Sequence, residues 1–186
     1  MKILLLLALL IPAVSHSALM LQYGLNYSSE KDESDGDDYE KTRTFHKVFL
    51  AASVNSNKTL FFGWNINSWG STLTKNSDEE SYDVLEMGPR LTYFFSEERR
   101  AYITGEWNPY AKGDRDKTGT SAEISGSSIG LGVGYRFKLS RLIGLGAALH
   151  YHTLNVKEEK IGSTENDISD KITNIMPMLE LTIITK

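Results

Sequence analysis

The chain has 186 residues, a formal net charge of −4, a composition 40% hydrophobic and 24% charged, and no cysteine. The absence of cysteine excludes a disulfide framework, and scattered basic residues under a mild negative charge exclude a nucleic-acid-binding surface. After the first apolar stretch no run is long enough to cross a bilayer as a helix, so a membrane reading must come from strands.

The chain opens with Lys2, an apolar run from Ile3 to Val14, and Ser15-His16-Ser17, a small-x-small site before Ala18. This reads as a secretory signal peptide over 1–17, leaving 18–186 as one domain. The competing reading, an uncleaved anchor, needs a longer apolar run.

The first strand spans Leu19 to Ser28, with Leu19, Leu21, Tyr23, Leu25 and Tyr27 opposite Gln22, Gly24, Asn26 and Ser28. An acidic, polar connection follows to Arg43. The second strand, Thr44 to Val54, sets His46, Val48 and Leu50 against Phe45, Lys47 and Phe49, with the lysine-bearing side inward. Asn55 to Lys58 is a tight turn. The third strand, Thr59 to Thr72, opposes Leu60, Phe62, Trp64 and Ile66 to Gly63, Asn65 and Asn67. The fourth, Tyr82 to Phe95, carries Glu86, Arg90 and Thr92 on its polar side, and Pro89 within it predicts a bulge. The fifth, Ala101 to Ala111, places Ile103 and Trp107 opposite Thr104, Glu106 and Asn108.

Ser121 to Asn155 holds two more strands around the turn Lys138–Leu142. Ile129, Leu131, Val133, Tyr135 and Phe137 alternate with Gly130, Gly132, Gly134 and Arg136. Ile143, Leu145, Ala147, Leu149 and Tyr151 then alternate with Gly144, Gly146, His150 and His152. A period of two sustained over each arm reads as a β-hairpin long enough to span a bilayer. The eighth strand, Lys171 to Thr185, opposes Ile175, Pro177, Leu179 and Leu181 to Asn174, Met178, Glu180 and Thr182.

Connections alternate long and short: Ser29–Arg43, Thr74–Ser81, Lys112–Thr120 and Lys157–Asp170 against Asn55–Lys58, Ser96–Arg100 and Lys138–Leu142. An even strand count with this alternation is the plan of an eight-stranded antiparallel up-and-down transmembrane β-barrel, all-β, with its long loops outside the cell. A soluble lipocalin-like barrel has the same period but an inward apolar face. The small residues on the polar side and the aromatics near both strand ends favour the membrane sense, with two interfacial girdles. Outer-membrane lipids and lipopolysaccharide are then the immediate partners.

This pattern resembles the small eight-stranded outer-membrane proteins, the OmpX/Ail family and the transmembrane domain of OmpA. The resemblance is one of plan over Ala18 to Lys186 and rests on no diagnostic motif. It implies a monomeric barrel in the bacterial outer membrane, with a structural or surface-interaction role such as adhesion or envelope integrity. A surface or host-cell partner would meet the long loops.

An eight-stranded interior is just filled by side chains, so the lumen is expected to be plugged, held by Lys47, Glu86, Arg90, Glu106, Arg136 and Glu180 as paired charges. Their alternative reading is a gate or small passive channel; the plain one is internal glue, because buried charges must pair whatever the function. His150 and His152 share the inward face. One of them could serve as a base toward Thr153 or a nearby serine, as in an esterase acting on lipid A. The lipid A deacylase PagL is also such a barrel, but its His-x-Ser pair has no counterpart here, since Leu154 stands two residues after His152. Two histidines alone do not close a metal site. No cofactor or catalytic residue is assigned. The acidic run Asp35-Gly36-Asp37-Asp38 lacks the ligand order of an EF-hand.

Overall fold

In the computed structural model, which describes residues 17–32, 39–76 and 78–185, eight antiparallel strands form one closed barrel. They are β1 (Leu19–Asp32), β2 (Tyr39–Ser53), β3 (Leu60–Lys75), β4 (Asp78–Phe94), β5 (Ala101–Lys117), β6 (Thr120–Lys138), β7 (Ile143–Ile161) and β8 (Thr164–Ile184). Each pairs with its neighbour in sequence, and β8 returns to β1. Residues 1–16, all but the last residue of the expected signal peptide over 1–17, and the acidic run Asp35–Asp38 lie outside the described residues.

Burial alternates with the pleat as the side-chain period requires. Leu131, Val133, Leu145 and Leu149 all point outward, Leu131 with 62% of its surface exposed. The opposite arrangement, these residues packed in a central cavity, is absent. The apolar belt therefore faces away from the axis, while glycine, amide and charged side chains face it.

Two sequence expectations change. The long connections are mostly strand: the β5–β6 hairpin closes at Thr118 and Gly119, both with positive φ, and Gly162 turns β7 into β8. These extensions are polar on both faces, so they carry no hydrophobic alternation to betray a strand. The bulge expected at Pro89 lies on the facing strand. Met87 and Arg90 of β4 pair with Tyr110 and Glu106, and Asn108 and Ala111 pair with Ser128 and Gly126, so the extra residue sits at Pro109–Tyr110 of β5. Pro109 cannot donate to a ladder, and the bulge removes the need.

The interior is layered. At the short-turn end Ala18, Met20, Phe49, Ala51, Phe61, Phe94, Tyr102, Ala148 and Ile184 form an apolar cluster. At the hairpin end Phe45, Trp69, Val84, Ala111, Ile124, Leu154, Val156, Met176 and Met178 form a second. The polar network lies between them. Burying each large apolar side chain of these layers is worth about 1.5–3 kcal/mol.

The seam between first and last strands is incomplete. β1 and β8 pair only from Met20↔Ile184 to Leu25↔Leu179, six rungs, whereas every other neighbouring pair has at least thirteen.

Candidate functional site

The alternation that turns apolar residues outward brings five of the six expected charges, and both histidines, to the barrel axis. Lys47 of β2 donates to both oxygens of Glu106 of β5, at 2.9 and 2.8 Å, with both side chains almost wholly buried. Glu86 of β4 accepts from Trp69 Nε1 at 2.9 Å, from Ser128 Oγ at 2.7 Å and from Asn67 Nδ2 at 3.3 Å, and lies 2.9 Å from His152 Nε2. Arg90 donates to Thr104 Oγ1 and to Gln22 Oε1, each at 2.7 Å, and its guanidinium lies 4.5 Å from the centre of the Phe49 ring. Glu180 accepts from Gln22 Nε2 at 2.9 Å and from the Tyr102 hydroxyl, and meets His150 Nε2 at 3.2 Å.

Arg136 is the exception. It is buried near the turn between β6 and β7, where Nη2 donates to the Leu142 carbonyl at 3.2 Å. Among the six expected charges only Lys47 and Glu106 form a direct ion pair, since Arg90 too bonds to neutral side chains. The sequence placed Arg136 correctly on the inward face, but parity says nothing about height along the axis, and Arg136 lies beyond the network.

The glycines of β6 make this packing possible. A Cβ on Gly130 would lie 2.6 Å from Glu106 Oε1, and one on Gly134 would lie 2.3 Å from the Tyr102 hydroxyl. β6 thus offers a groove into which side chains from β5 lean. Tyr102 and Trp69 complete the network but were not singled out in the sequence. The signal was available, since Trp69 follows Asn67 and Tyr102 precedes Thr104 at the same parity. An aromatic ring on the polar side does not announce that its donor will be used.

The chemistry open to the histidines is limited. Thr153 lies on the other face, its Oγ1 3.3 Å from Thr173 Oγ1, out of line with both imidazoles. Ser128 is near, but Glu86 stands between its hydroxyl and His152, whereas nucleophilic activation needs the imidazole to hold the hydroxyl. His152 is wedged edge-on against Phe45 and Trp69, with ring centres 5.3 and 6.1 Å away. No group of three or more histidine, aspartate or glutamate side chains among the described residues is placed to hold a metal ion. Two hollows of about 630 and 520 Å³ lie among the hairpin extensions, outside the charged layer.

Beyond the apolar belt Arg115 forms a clamp across the inner faces of the extensions. It meets Glu80 at 2.6 Å and Glu159 and Asp170 at 3.4 Å each, while the Tyr82 hydroxyl donates to Glu80 at 2.9 Å. Burial alone would raise the Glu80 carboxyl, but hydrogen bonds from Arg115 and Tyr82 and the Arg115 charge outweigh it and hold the group below its ordinary 4.5. A depressed carboxyl contributes stability that is present above the unfolded value and lost as pH falls through the folded one. Amide exchange in β4 above Val84 and in β5 above Gly113 is therefore expected to quicken as pH falls below 4.5, after correction for intrinsic rates. Unchanged protection there would show that the clamp does not hold the extensions together.

A family profile described as outer membrane protein beta-barrel domain matches residues 2–176. No curated protein matches the chain. Solved structures to which it is similar include Neisserial surface protein A, at 9% identity over 89% of this chain and 96% of that one, with a TM-score of 0.49. The translocator domain of the autotransporter NalP from Neisseria meningitidis is 14% identical over 97% and 69%, with a TM-score of 0.44. The beta domain of the Bordetella autotransporter BrkA is 13% identical over 88% and 68%, with a TM-score of 0.49.

Proposed function

The chain belongs to the outer membrane protein beta-barrel domain family, and on that premise we propose an integral outer-membrane barrel of the OmpX-like and OmpA-like small plan. Its role is structural or surface-interacting, in adhesion or envelope integrity, and it performs no catalysis. The apolar belt lies in acyl chains, and the hairpins at the β1–β2, β3–β4, β5–β6 and β7–β8 ends stand outside the cell, where a surface partner would meet them.

The observation that carries this reading is the filled lumen: a buried, hydrogen-bonded polar layer held between two apolar layers. Such an interior supplies rigidity, and neither of the two hollows among the hairpin extensions is lined by His150 or His152. A lipid A hydrolase would need a nucleophile in reach of His150 or His152, and both instead serve the carboxylates Glu180 and Glu86.

Purified monomer in a planar bilayer is expected to give no steady conductance; a large, lasting current would refute the sealed lumen. Surface protease on intact cells is expected to cut within Glu30–Lys41 or near Gly162. Protection of both would reverse the orientation.

A further inference from the structure

We propose that the open half of the β1–β8 seam is a docking port for the phosphate-bearing headgroup of an outer-leaflet lipid, a proposal that rests on the membrane reading above.

The seam stops where its chemistry requires. Continuing the register past Leu25↔Leu179 would set Tyr27 opposite Pro177, which has no N–H to donate. The Asn26 side chain takes over, Nδ2 donating to the Pro177 carbonyl at 2.7 Å. Beyond that point β1 is hydrogen-bonded only to β2, and β8 only to β7. The gap opens within the apolar belt, between Tyr27 and Ile175, which are 68% and 65% exposed. Unpaired strand edges at the bilayer interface need polar partners, since acyl chains offer none.

Inward side chains on both margins also leave single polar atoms without a partner. Asn26 Oδ1 on β1, Arg43 Nε on the adjacent β2 and Asn174 Nδ2 on β8 are buried with no hydrogen bond, and so is Nδ1 of His152, which faces Asn174 across the ladder. Half of the buried unpartnered side-chain atoms among the described residues thus fall on one stretch of wall. Their chemistry is a guanidinium, an amide donor and acceptors, which suits a phosphate oxygen next to an esterified hydroxyl or amide. Glu30 is the carboxylate beside Arg43. Lys31 and Lys171 carry positive charge on the outer margins above Tyr27 and Ile175, Lys31 being paired with Glu40 at 3.0 Å. The lipid's chains would lie along Tyr27, Ile175 and Leu179 outside the barrel.

The test is lipid retention. Full-length protein is inserted into phosphatidylcholine vesicles containing a minority of phosphatidic acid, then transferred to detergent for native mass spectrometry. The wild type is expected to keep one phosphatidic acid in preference to phosphatidylcholine. Arg43→Gln is expected to lower retention about tenfold or more, the scale of one charge-assisted hydrogen bond. Asn174→Leu, which leaves the charges intact, is expected to lower it several-fold, while Lys112→Gln on the far wall leaves it unchanged. Equal retention of the two lipids, or equal retention by wild type and both seam variants, overturns the port. If a water-soluble phosphate ester without chains binds as tightly, the site is one for a free anion and the lipid assignment fails. Failure of the wild type to enter vesicles would instead count against the membrane reading itself.

Discussion

Glu86→Ala is expected to destabilise the barrel by at least about 3–5 kcal/mol, because it removes the acceptor shared by the most buried donors in the lumen. Trp69 Nε1, Asn67 Nδ2, Ser128 Oγ and His152 Nε2 all converge on its two oxygens. Each stranded donor costs about 1–3 kcal/mol where the carboxylate is removed from a buried site. Urea unfolding in lipid vesicles, followed by tryptophan fluorescence, measures the loss, and a change under about 1 kcal/mol would mean that the network relaxes freely. The neighbouring pair provides an internal control. Lys47→Met strands Glu106 and is expected to cost a similar amount, whereas Lys47→Met with Glu106→Leu is expected to recover most of it. If the double variant is no better than the single, the pair was not the source of the cost.

The second large effect concerns the outer face. Val133 lies midway along the outward row Ile129, Leu131, Val133, Tyr135 and Phe137 of β6, so Val133→Arg places a charge near the bilayer centre. The expected cost is about 2–4 kcal/mol, against about 0–1 for Leu139→Arg beyond the end of β6. The same unfolding experiment reads both. Depth dependence is the signature of lipid contact, because a solvated outer face would accept arginine equally well at either position. Equal costs at the two sites would remove the membrane sense of the barrel.

The same two faces show where local sequence is informative. Alternation in β6 and β7 is strong because each outward position is lipophilic and each inward one small, and a one-residue slip would exchange them all. The parity of Lys47, Glu86, Arg90, Glu106 and Glu180 followed from this, and so did the inward placement of His150 and His152. The polar extensions escaped notice. Asp114, Asp116, Glu123 and Lys160 have water on one side and a charged clamp on the other, so hydrophobicity carries no period there. The apolar layers of the lumen escaped for a related reason. Phe45, Trp69 and Leu154 occupy inward positions, but only the closed ring shows that they gather at one height and stack, with the Phe45 and Trp69 rings 6.4 Å apart.

The amino-acid order by itself determined the strand count, the inward and outward parity, and the choice of a barrel over a helical membrane protein, because each depends on a period repeated along one strand. Which charge meets which, why Arg136 stands apart, and where the seam parts at Pro177 were decided only by the tertiary structure. Those outcomes depend on the stagger of eight strands around an axis, which sets the height of each residue against residues distant in sequence.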